Sequence, residues 1–260
     1  SPDRPGTLVS NDIRYLAHDM FGRLWIGTYG GISVRDPENG IMAHFTHKPG
    51  DSTSLSDNRI YAIYEDGEKV MWVGTRNGLN RFRRTEGTFT RYHSVSSELS
   101  ALSNDWITCL FEDSRGILWI GTYGGGLNRY HREDDRFSHI TTRDGLPNNV
   151  IYGILEDESG YLWLSTNRGL SRFRLSDTSF VNYRREDGLQ SNQFFFNACY
   201  QSGDGEMFFG GVNGLNHFYP SAIEKDRHPP NVLITSFRLF NKEVPVAEPG
   251  EEDAILTRHV

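Results

Sequence analysis

The sequence lacks any apolar run close to the ~20 residues that a helix needs to cross a bilayer, so it predicts a soluble segment. It has no cationic start followed by an apolar stretch, and therefore no recognisable signal peptide. It also lacks a basic stripe: the formal net charge is −7, which argues against a general nucleic-acid binder. Sustained helical periodicity is absent as well. These absences favour an acidic, soluble chain built from strands.

Cysteine is scarce, with only Cys109 and Cys199. Two cysteines make no disulfide framework and no metal motif, and both lie in apolar runs, so we expect buried free thiols that act as small hydrophobic side chains. His44 and His47 fall on opposite faces of a strand and make no metal site. The glycine-rich stretch that begins at Gly121 lacks the Lys-Ser/Thr pair of a phosphate-binding loop. We therefore expect neither a metal nor a cofactor.

Glycine and aromatic residues are abundant, with 27 Gly, 16 Phe, 12 Tyr and 5 Trp, and many of them belong to an internal repeat. The motif Gly-x-Leu-Trp-Ile-Gly-Thr returns, with variation, around five aromatic residues spaced 47, 47, 44 and 45 residues apart: Trp25, Trp72, Trp119, Trp163 and Phe208. A period in the mid-forties is typical of a four-stranded propeller blade. The sequence therefore predicts an all-β fold, a β-propeller of four-stranded blades in which five blade repeats are recognisable.

The repeats divide the chain into a propeller over residues 1–223, a polar linker over 224–230, and the beginning of a second β domain over 231–260. The predicted blades span about 8–47, 55–93, 102–140, 146–184 and 189–219. One position of the first strand carries a small residue in four blades: Ala62, Cys109, Gly153 and Ala198. Inner strands crowd together near a propeller axis, so small side chains suit this position. Tyr15 breaks the pattern and predicts a different environment for the first blade.

The string Leu-(Ser/Pro)-Asn-x-x-Ile followed by Glu-Asp-x-x-Gly-x-Leu-Trp-Ile-Gly-Thr-x-x-Gly-Gly-Leu-Asn-Arg-Tyr resembles the two-component-regulator propeller repeat, and five copies cover roughly residues 8 to 219. The segment from residue 231 resembles the opening of the immunoglobulin-like triple-tyrosine domain that follows such propellers. The resemblance implies the periplasmic sensor region of a Bacteroides-type hybrid two-component system. It also implies a homodimer that binds oligosaccharides and relays the signal through the Ig-like domain to a cytoplasmic histidine kinase.

The sequence departs from that family in two respects. Such propellers usually have seven blades, whereas five are recognisable here, and the sequence leaves open whether five blades close or form an open arc. No kinase region, receiver, DNA-binding helix pair or membrane helix is present. We therefore expect no enzymatic activity in these residues, no nucleic-acid partner, and membrane attachment only through a transmembrane segment outside them.

The connector that enters the first strand and the turn between the second and third strands should share one face of the propeller. Residues at these positions vary from blade to blade, and constant spacing places Phe195 where earlier blades have Arg59 and Trp106. The candidate ligand-binding residues are Arg14, Tyr29, Arg59, Tyr61, Arg76, Trp106, Tyr123, Tyr152, Asn167 and Arg168. Aromatic rings cover the apolar face of a pyranose, whereas Arg and Asn donate to hydroxyls or carboxylates. The four arginines favour an anionic sugar such as a uronate.

Two other functions remain open. The same face could contact another propeller or a second copy of the chain, which would make this a structural or dimerisation segment with ligand recognition elsewhere in the receptor. A polysaccharide-active enzyme is the third hypothesis, because acidic pairs recur: Glu65/Asp66, Glu112/Asp113 and Glu156/Asp157. These pairs occupy the same turn in each repeat, where an aspartate stabilises the turn, so we assign no catalytic residue.

Overall fold

The computed structural model describes residues 6–40, 42–223, 238–240 and 242–243. Contacts group the chain into two units, Ser1–Ala222 and Ile223–Val260. The described residues form 21 strands and two single-turn 3-10 helices, Arg185–Asp187 and Pro220–Ala222. None of the helices in this described part is long and apolar enough to span a bilayer.

Nineteen strands form five antiparallel sheets, each with its strands in chain order, and we call these sheets blades 1 to 5. Blade 1 comprises β1 (Ile13–His18), β2 (Leu24–Thr28), β3 (Gly31–Arg35) and β4 (Met42–Phe45). Blade 2 comprises β5 (Ile60–Glu65), β6 (Met71–Thr75), β7 (Gly78–Arg83) and β8 (Thr88–Tyr92). Blade 3 comprises β9 (Ile107–Glu112), β10 (Leu118–Thr122), β11 (Leu127–His131) and β12 (Arg136–Ile140).

Blade 4 comprises β13 (Ile151–Glu156), β14 (Tyr161–Thr166), β15 (Gly169–Arg174) and β16 (Ser179–Tyr183). Blade 5 has three strands within the described residues, β17 (Phe194–Gln201), β18 (Met207–Gly211) and β19 (Gly214–Phe218). The first strands of successive blades lie side by side, which makes β1, β5, β9, β13 and β17 the inner strands. The predicted all-β propeller is confirmed.

In the second unit, β20 (Arg238–Leu239) pairs with β21 (Lys242–Glu243). Most of the predicted Ig-like beginning at 231–260, and the whole predicted linker at 224–230, lie outside the described residues. The division into linker and second domain therefore stays a prediction.

The first turn of blades 1 to 4 is built around a buried aspartate. In blade 3, Asp113 Oδ1 accepts the backbone N–H groups of Arg115 and Ile117 at 3.0 Å, and its Oδ2 accepts Trp119 Nε1 at 3.0 Å. The same carboxylate-to-indole bond joins Asp19 to Trp25, Asp66 to Trp72 and Asp157 to Trp163 at 2.7–3.0 Å. Because the turn and the indole occupy both oxygens, these recurrent carboxylates are structural, in agreement with the interpretation of the repeat.

The blades pack face to face through their tryptophans. Trp25 of blade 1 packs with Ile60 and Ile63 of blade 2, and the same arrangement recurs between blades 2 and 3 and between blades 3 and 4. The inner strands also approach closely: a Cβ on Gly153 of β13 would lie 2.5 Å from Sγ of Cys199 on β17 in the next blade. This crowding explains why small residues recur on the inner strands.

Tyr15 occupies the same register position in blade 1, opposite Gly27. Burial raises the pKa of its phenol to about 12, and the Cys109 and Cys199 thiols are near enough to contribute to this shift. Both cysteines are free, as the sequence predicts, but only Cys109 is fully buried and Cys199 is partly exposed. Burial raises the pKa of both thiols, that of Cys199 to about 11.

Arginines join neighbouring blades at the edge where the first turns lie. Arg132 of blade 3 donates to Asp66 of blade 2 at 2.8 Å and to Glu112 of its own blade at 2.9 Å. Arg84 of blade 2 bridges Asp19 and Glu65 in the same way. Blade 4 has Leu175 at the corresponding position, so no such arginine joins blades 3 and 4 within the described residues.

Candidate functional site

The end of the propeller where the inner strands begin is shaped by one bulge per blade. In blade 2, Ile60 pairs with Thr75 and Ala62 pairs with Gly74, so Tyr61 is an extra residue in the ladder. The corresponding extra residues in blades 1, 3 and 4 are Arg14, Thr108 and Tyr152. A bulged residue is released from the regular alternation of a strand and can be aimed at a site. Three of these four residues are among the predicted ligand-binding positions.

Blade 5 has a longer insertion at the same place. Phe194 pairs with Gly211 and Cys199 with Phe209, so four residues of β17 face a single residue of β18. Asn197, within this insertion, has a φ of 53°, in the left-handed region that asparagine tolerates better than most residues. We call residues 195–198 the blade 5 insertion.

The blade 5 insertion reaches across the centre to two other blades. The Nδ2 group of Asn197 donates to the backbone carbonyl of Tyr61 at 2.7 Å and to that of Thr108 at 3.3 Å. Those carbonyls belong to the bulged residues of blades 2 and 3. The bulge leaves both carbonyls outside the strand ladder, and the Asn197 amide supplies their partner.

Six aromatic residues meet at this end, and every blade contributes at least one. They are Tyr29, Tyr61, Trp106, Tyr123, Tyr152 and Phe196, which we call the aromatic cluster. Phe196 lies between the others, with ring centroids 5.0 Å from Tyr152, 5.6 Å from Tyr61, and 6.1 Å from both Trp106 and Tyr123. The sequence predicts the other five members, but it misses Phe196.

Within the cluster, the exposed ring is that of Tyr123 rather than that of Trp106. Tyr123 stacks on Trp106 with a centroid distance of 4.2 Å, and Arg76 Cζ lies 4.9 Å from the Trp106 centroid. These two contacts leave the Trp106 side chain only partly exposed. Its Nε1 is buried and has no hydrogen-bond partner among the described residues. Tyr123 is 38% exposed and offers its ring to solvent.

The four predicted arginines differ in how their charge is compensated. Arg14 pairs with Asp12 at 3.1 Å, and two nitrogens of Arg59 bind Asp57 at 2.9 and 2.7 Å. Burial opposes ionisation of Asp57, but the hydrogen bonds from Arg59 hold the pKa of that carboxyl below its usual value. These two arginines therefore retain little uncompensated charge.

Arg76 and Arg168 have no carboxylate partner among the described residues. Arg76 lies in blade 2 against Trp106, and Arg168 is exposed in the corresponding turn of blade 4, so the turns that carry them belong to the two blades next to blade 3. At this end of the propeller, both guanidinium groups therefore keep a charge that no carboxylate in the described residues compensates.

The phenols of Tyr61 and Tyr152 are held in their neutral form. Burial, with the neighbouring Tyr29 hydroxyl, raises the pKa of Tyr61 to about 12. Burial also raises the pKa of Tyr152, whose hydroxyl donates to Asn167 Oδ1 at 3.4 Å. Asn167 is exposed, so its amide nitrogen remains available to a ligand. The cluster thus combines neutral phenols, amides and aromatic faces, the groups that bind polyhydroxylated molecules.

Counting along the sequence by a constant repeat length wrongly aligns Phe195 with Arg59 and Trp106 of the earlier blades. The carbonyls of Arg59 and Trp106 accept the backbone N–H groups of Arg76 and Tyr123, and in blade 5 the carbonyl of Gln193 takes this role for Val212. Gln193 is therefore the structural equivalent, and Phe195 belongs to the blade 5 insertion, where it is 52% exposed. The blade 5 insertion adds residues between Gln193 and Val212, so a count that assumes a fixed repeat length misaligns the residues of this blade.

No group of three or more His, Cys, Asp or Glu side chains is arranged to hold a metal ion in the described part of the chain. Each of the two histidines considered in the sequence has another partner: His44 bonds Ser33 at 3.0 Å, and His47 bonds the carbonyl of Leu55 at 2.8 Å.

Part of this chain is similar to known proteins. A family model described as "Two component regulator propeller" matches four segments, residues 7–30, 54–77, 101–124 and 145–168. Histidine kinase P4 of Formosa agariphila is 34% identical to this chain over 117 residues, which are 45% of the chain and 8% of that protein.

Two solved structures from B. thetaiotaomicron, each described as the extracellular domain of a hybrid two component system, are similar in fold. One is 26% identical with a TM-score of 0.74, and the match covers 91% of this chain and 33% of that one. The other is 24% identical with a TM-score of 0.70, and the match covers 82% of this chain and 30% of that one. The chain thus spans a third or less of the length of these relatives.

Proposed function

Because four segments of this chain are repeats of the two component regulator propeller family, we propose that the chain is the sensor module of a two-component system and that the aromatic cluster binds an oligosaccharide. The observation that carries the proposal is the meeting of six aromatic residues from all five blades at one end of the propeller, with an exposed ring at Tyr123. Scaffold packing does not require this, because blades 1 to 4 already bury the Trp of their own repeats, and none of these four tryptophans belongs to the cluster.

The chemistry of the cluster supports a sugar with a negative charge. A pyranose ring stacked on Tyr123 would lie between the blades that carry Arg76 and Arg168, the two of the four predicted arginines that have no carboxylate partner in the described residues. A planar guanidinium binds a carboxylate or sulfate through two parallel hydrogen bonds.

We infer that the signal leaves through blade 5. The blade 5 insertion carries Phe196 into the aromatic cluster, and the same blade precedes the residues that resemble an Ig-like domain. The relatives described as extracellular domains support a location outside the cytoplasm, which for this type of receptor is the periplasm. The histidine kinase that would receive the signal is not part of these residues.

The proposal is tested by titration calorimetry of the full chain against short oligosaccharides, both neutral ones and uronate-containing ones. Stacking on an exposed aromatic ring contributes roughly 1 kcal/mol or more, so Tyr123→Ala should weaken binding about tenfold. Tyr200→Ala is the matched control, because Tyr200 is also an exposed tyrosine, at 64%, but lies outside the cluster. Equal affinities for the two variants, or no binding of any sugar, would contradict the proposal.

A structural or dimerisation role is the second candidate, and one observation favours it. Apolar side chains are exposed on both terminal blades: Ile13 at 47% and Leu16 at 58% in blade 1, and Leu215 at 55% in blade 5. Exposed apolar faces of this kind promote association with a second chain. Sedimentation of the chain with and without Leu16→Glu distinguishes the roles: a dimer that the substitution dissociates supports self-association.

A further inference from the structure

A cavity opens on the same end of the propeller as the aromatic cluster, beside blade 3. It has a volume of about 450 Å³ and lies between the connector from blade 2 to blade 3 and the connector from blade 3 to blade 4. This volume falls in the range of roughly 300–1,000 Å³ that ligand cavities occupy. We call it the connector cavity. We propose that it is a second carbohydrate subsite, which holds a further unit of the oligosaccharide bound at the aromatic cluster. The inference thus rests on the proposed function.

The connector cavity adjoins the cluster at the turn between β10 and β11, which is longer than in the other blades and contains three consecutive glycines after Tyr123. Four residues, Tyr123 to Gly126, lie between β10 and β11, whereas two residues lie between the corresponding strands in each of blades 1, 2 and 4. Gly124 and Gly125 follow Tyr123 directly and line the cavity. Neither glycine places a side chain between the Tyr123 ring and the cavity, so a ligand could extend from one to the other over the backbone of the turn.

The geometry of this turn is fixed rather than loose. Gly124 has a φ of 118°, which other residues rarely adopt. The backbone N–H groups of Gly124 and Gly126 both donate to the carbonyl of Asn149, at 3.0 and 2.8 Å. A Cβ on Gly125 would meet Ser103 and Asn104, so the turn also packs tightly against the connector from blade 2. The turn between β10 and β11, which forms one wall of the cavity, is therefore preorganised.

The lining of the cavity suits a sugar. The Ser96 hydroxyl and the Arg143 guanidinium line it, and neither has a hydrogen-bond partner among the described residues. Asn149 Oδ1 accepts the Thr142 backbone N–H at 2.8 Å, which leaves its amide hydrogens available. Leu99, which is 89% exposed, and Leu102 supply an apolar side for the carbon face of a ring.

The charges of the lining indicate which unit of a chain this subsite takes. Glu98 and Arg143 offset one another, so the cavity has no excess of positive charge, unlike the region between Arg76 and Arg168. We therefore assign an uncharged unit, recognised through its hydroxyls, to the connector cavity. The charged unit belongs to the Tyr123 end.

Chain length of the ligand is the variable that tests this inference. The full chain is titrated with di-, tetra- and hexasaccharides of each sugar that binds, and we expect the hexasaccharide to bind about tenfold more tightly than the disaccharide. Ser96→Trp, which fills the cavity, should remove this gain and leave disaccharide affinity unchanged. Ser97→Trp is the matched control, because Ser97 is exposed in the same connector but does not line the cavity. Arg143→Ala should reduce only the affinity for the longer chains.

The outcomes separate this inference from the proposed function. Equal affinities for short and long chains, or a length-dependent gain that survives Ser96→Trp, would overturn the subsite while leaving the Tyr123 site intact. An effect of Ser97→Trp equal to that of Ser96→Trp would also overturn it. Failure of every oligosaccharide to bind would overturn both proposals.

Discussion

Replacement of Asn197 tests the contact that holds the blade 5 insertion across the centre of the propeller. Its side-chain amide donates to the carbonyls of Tyr61 at 2.7 Å and Thr108 at 3.3 Å, and its φ is 53°. A hydrogen bond contributes about 0.5–1.5 kcal/mol net, so losing both should lower the free energy of unfolding by about 1–3 kcal/mol. This is the loss expected for Asn197→Gly, because glycine adopts the left-handed backbone without strain.

Asn197→Ala should cost more than Asn197→Gly. Alanine loses the same two hydrogen bonds and must also adopt the left-handed conformation, which costs an L-residue roughly 1–2 kcal/mol. We therefore expect a total loss of about 2–5 kcal/mol, being the sum of these two contributions. The order of the variants separates backbone strain from the loss of the amide.

Urea unfolding followed by circular dichroism measures these losses. Asn77→Ala is the control, since Asn77 is exposed in the blade 2 turn at the same end, and such surface substitutions usually change stability by less than about 0.5 kcal/mol. The reasoning is refuted if Asn197→Gly is as stable as the parent chain, or if Asn197→Ala is no less stable than Asn197→Gly. In either variant a displaced Phe196 should also weaken oligosaccharide binding.

Two further predictions concern the scaffold. Arg132→Leu should lower the free energy of unfolding by about 2–3 kcal/mol, because the buried Asp66 carboxylate then keeps its other hydrogen bonds but loses its cation. Leu175→Arg should raise the free energy of unfolding by less than about 1 kcal/mol, because the site is half-exposed. Urea melts in which Arg132→Leu is as stable as the parent chain, or Leu175→Arg is less stable than it, would contradict the role of these arginines between blades. The raised pKa of Tyr15, about 12 against the usual 10, means that folding favours the neutral phenol, so its contribution to stability is complete below pH 10 and is lost as pH rises towards 12. Tyr15→Phe should remove that part of the alkaline loss in urea midpoints measured across this interval, and an unchanged profile would show that the phenol is not buried as described.

The architecture could be predicted from the sequence because it is periodic. The local signals are a Trp or Phe at intervals of 44–47 residues, a glycine in each first turn and, in blades 1 to 4, an aspartate six residues before the Trp. Periodicity also identified five of the six aromatic cluster residues, since each lies at an equivalent point of its blade.

The centre of the site could not be predicted, because it depends on a departure from the period. The blade 5 insertion brings Phe196 into the cluster, and its only signal in the sequence is the run of three phenylalanines at 194–196. Contacts between pairs of side chains determine which of the predicted residues can bind a ligand. The charge of Arg59 is compensated by Asp57, and the Trp106 ring packs against Tyr123 and Arg76. Such contacts are made between side chains of different blades, and no spacing along one chain reports them.

A crystal structure of the chain with a bound oligosaccharide would show where the sugar lies. We expect a sugar ring parallel to the exposed face of Tyr123, at a stacking distance of about 4 Å, with its acidic group directed at Arg76 or Arg168. A sugar bound instead at the opposite end of the propeller, in the cavity of about 120 Å³ beside Asp157 and Arg172, would contradict this expectation.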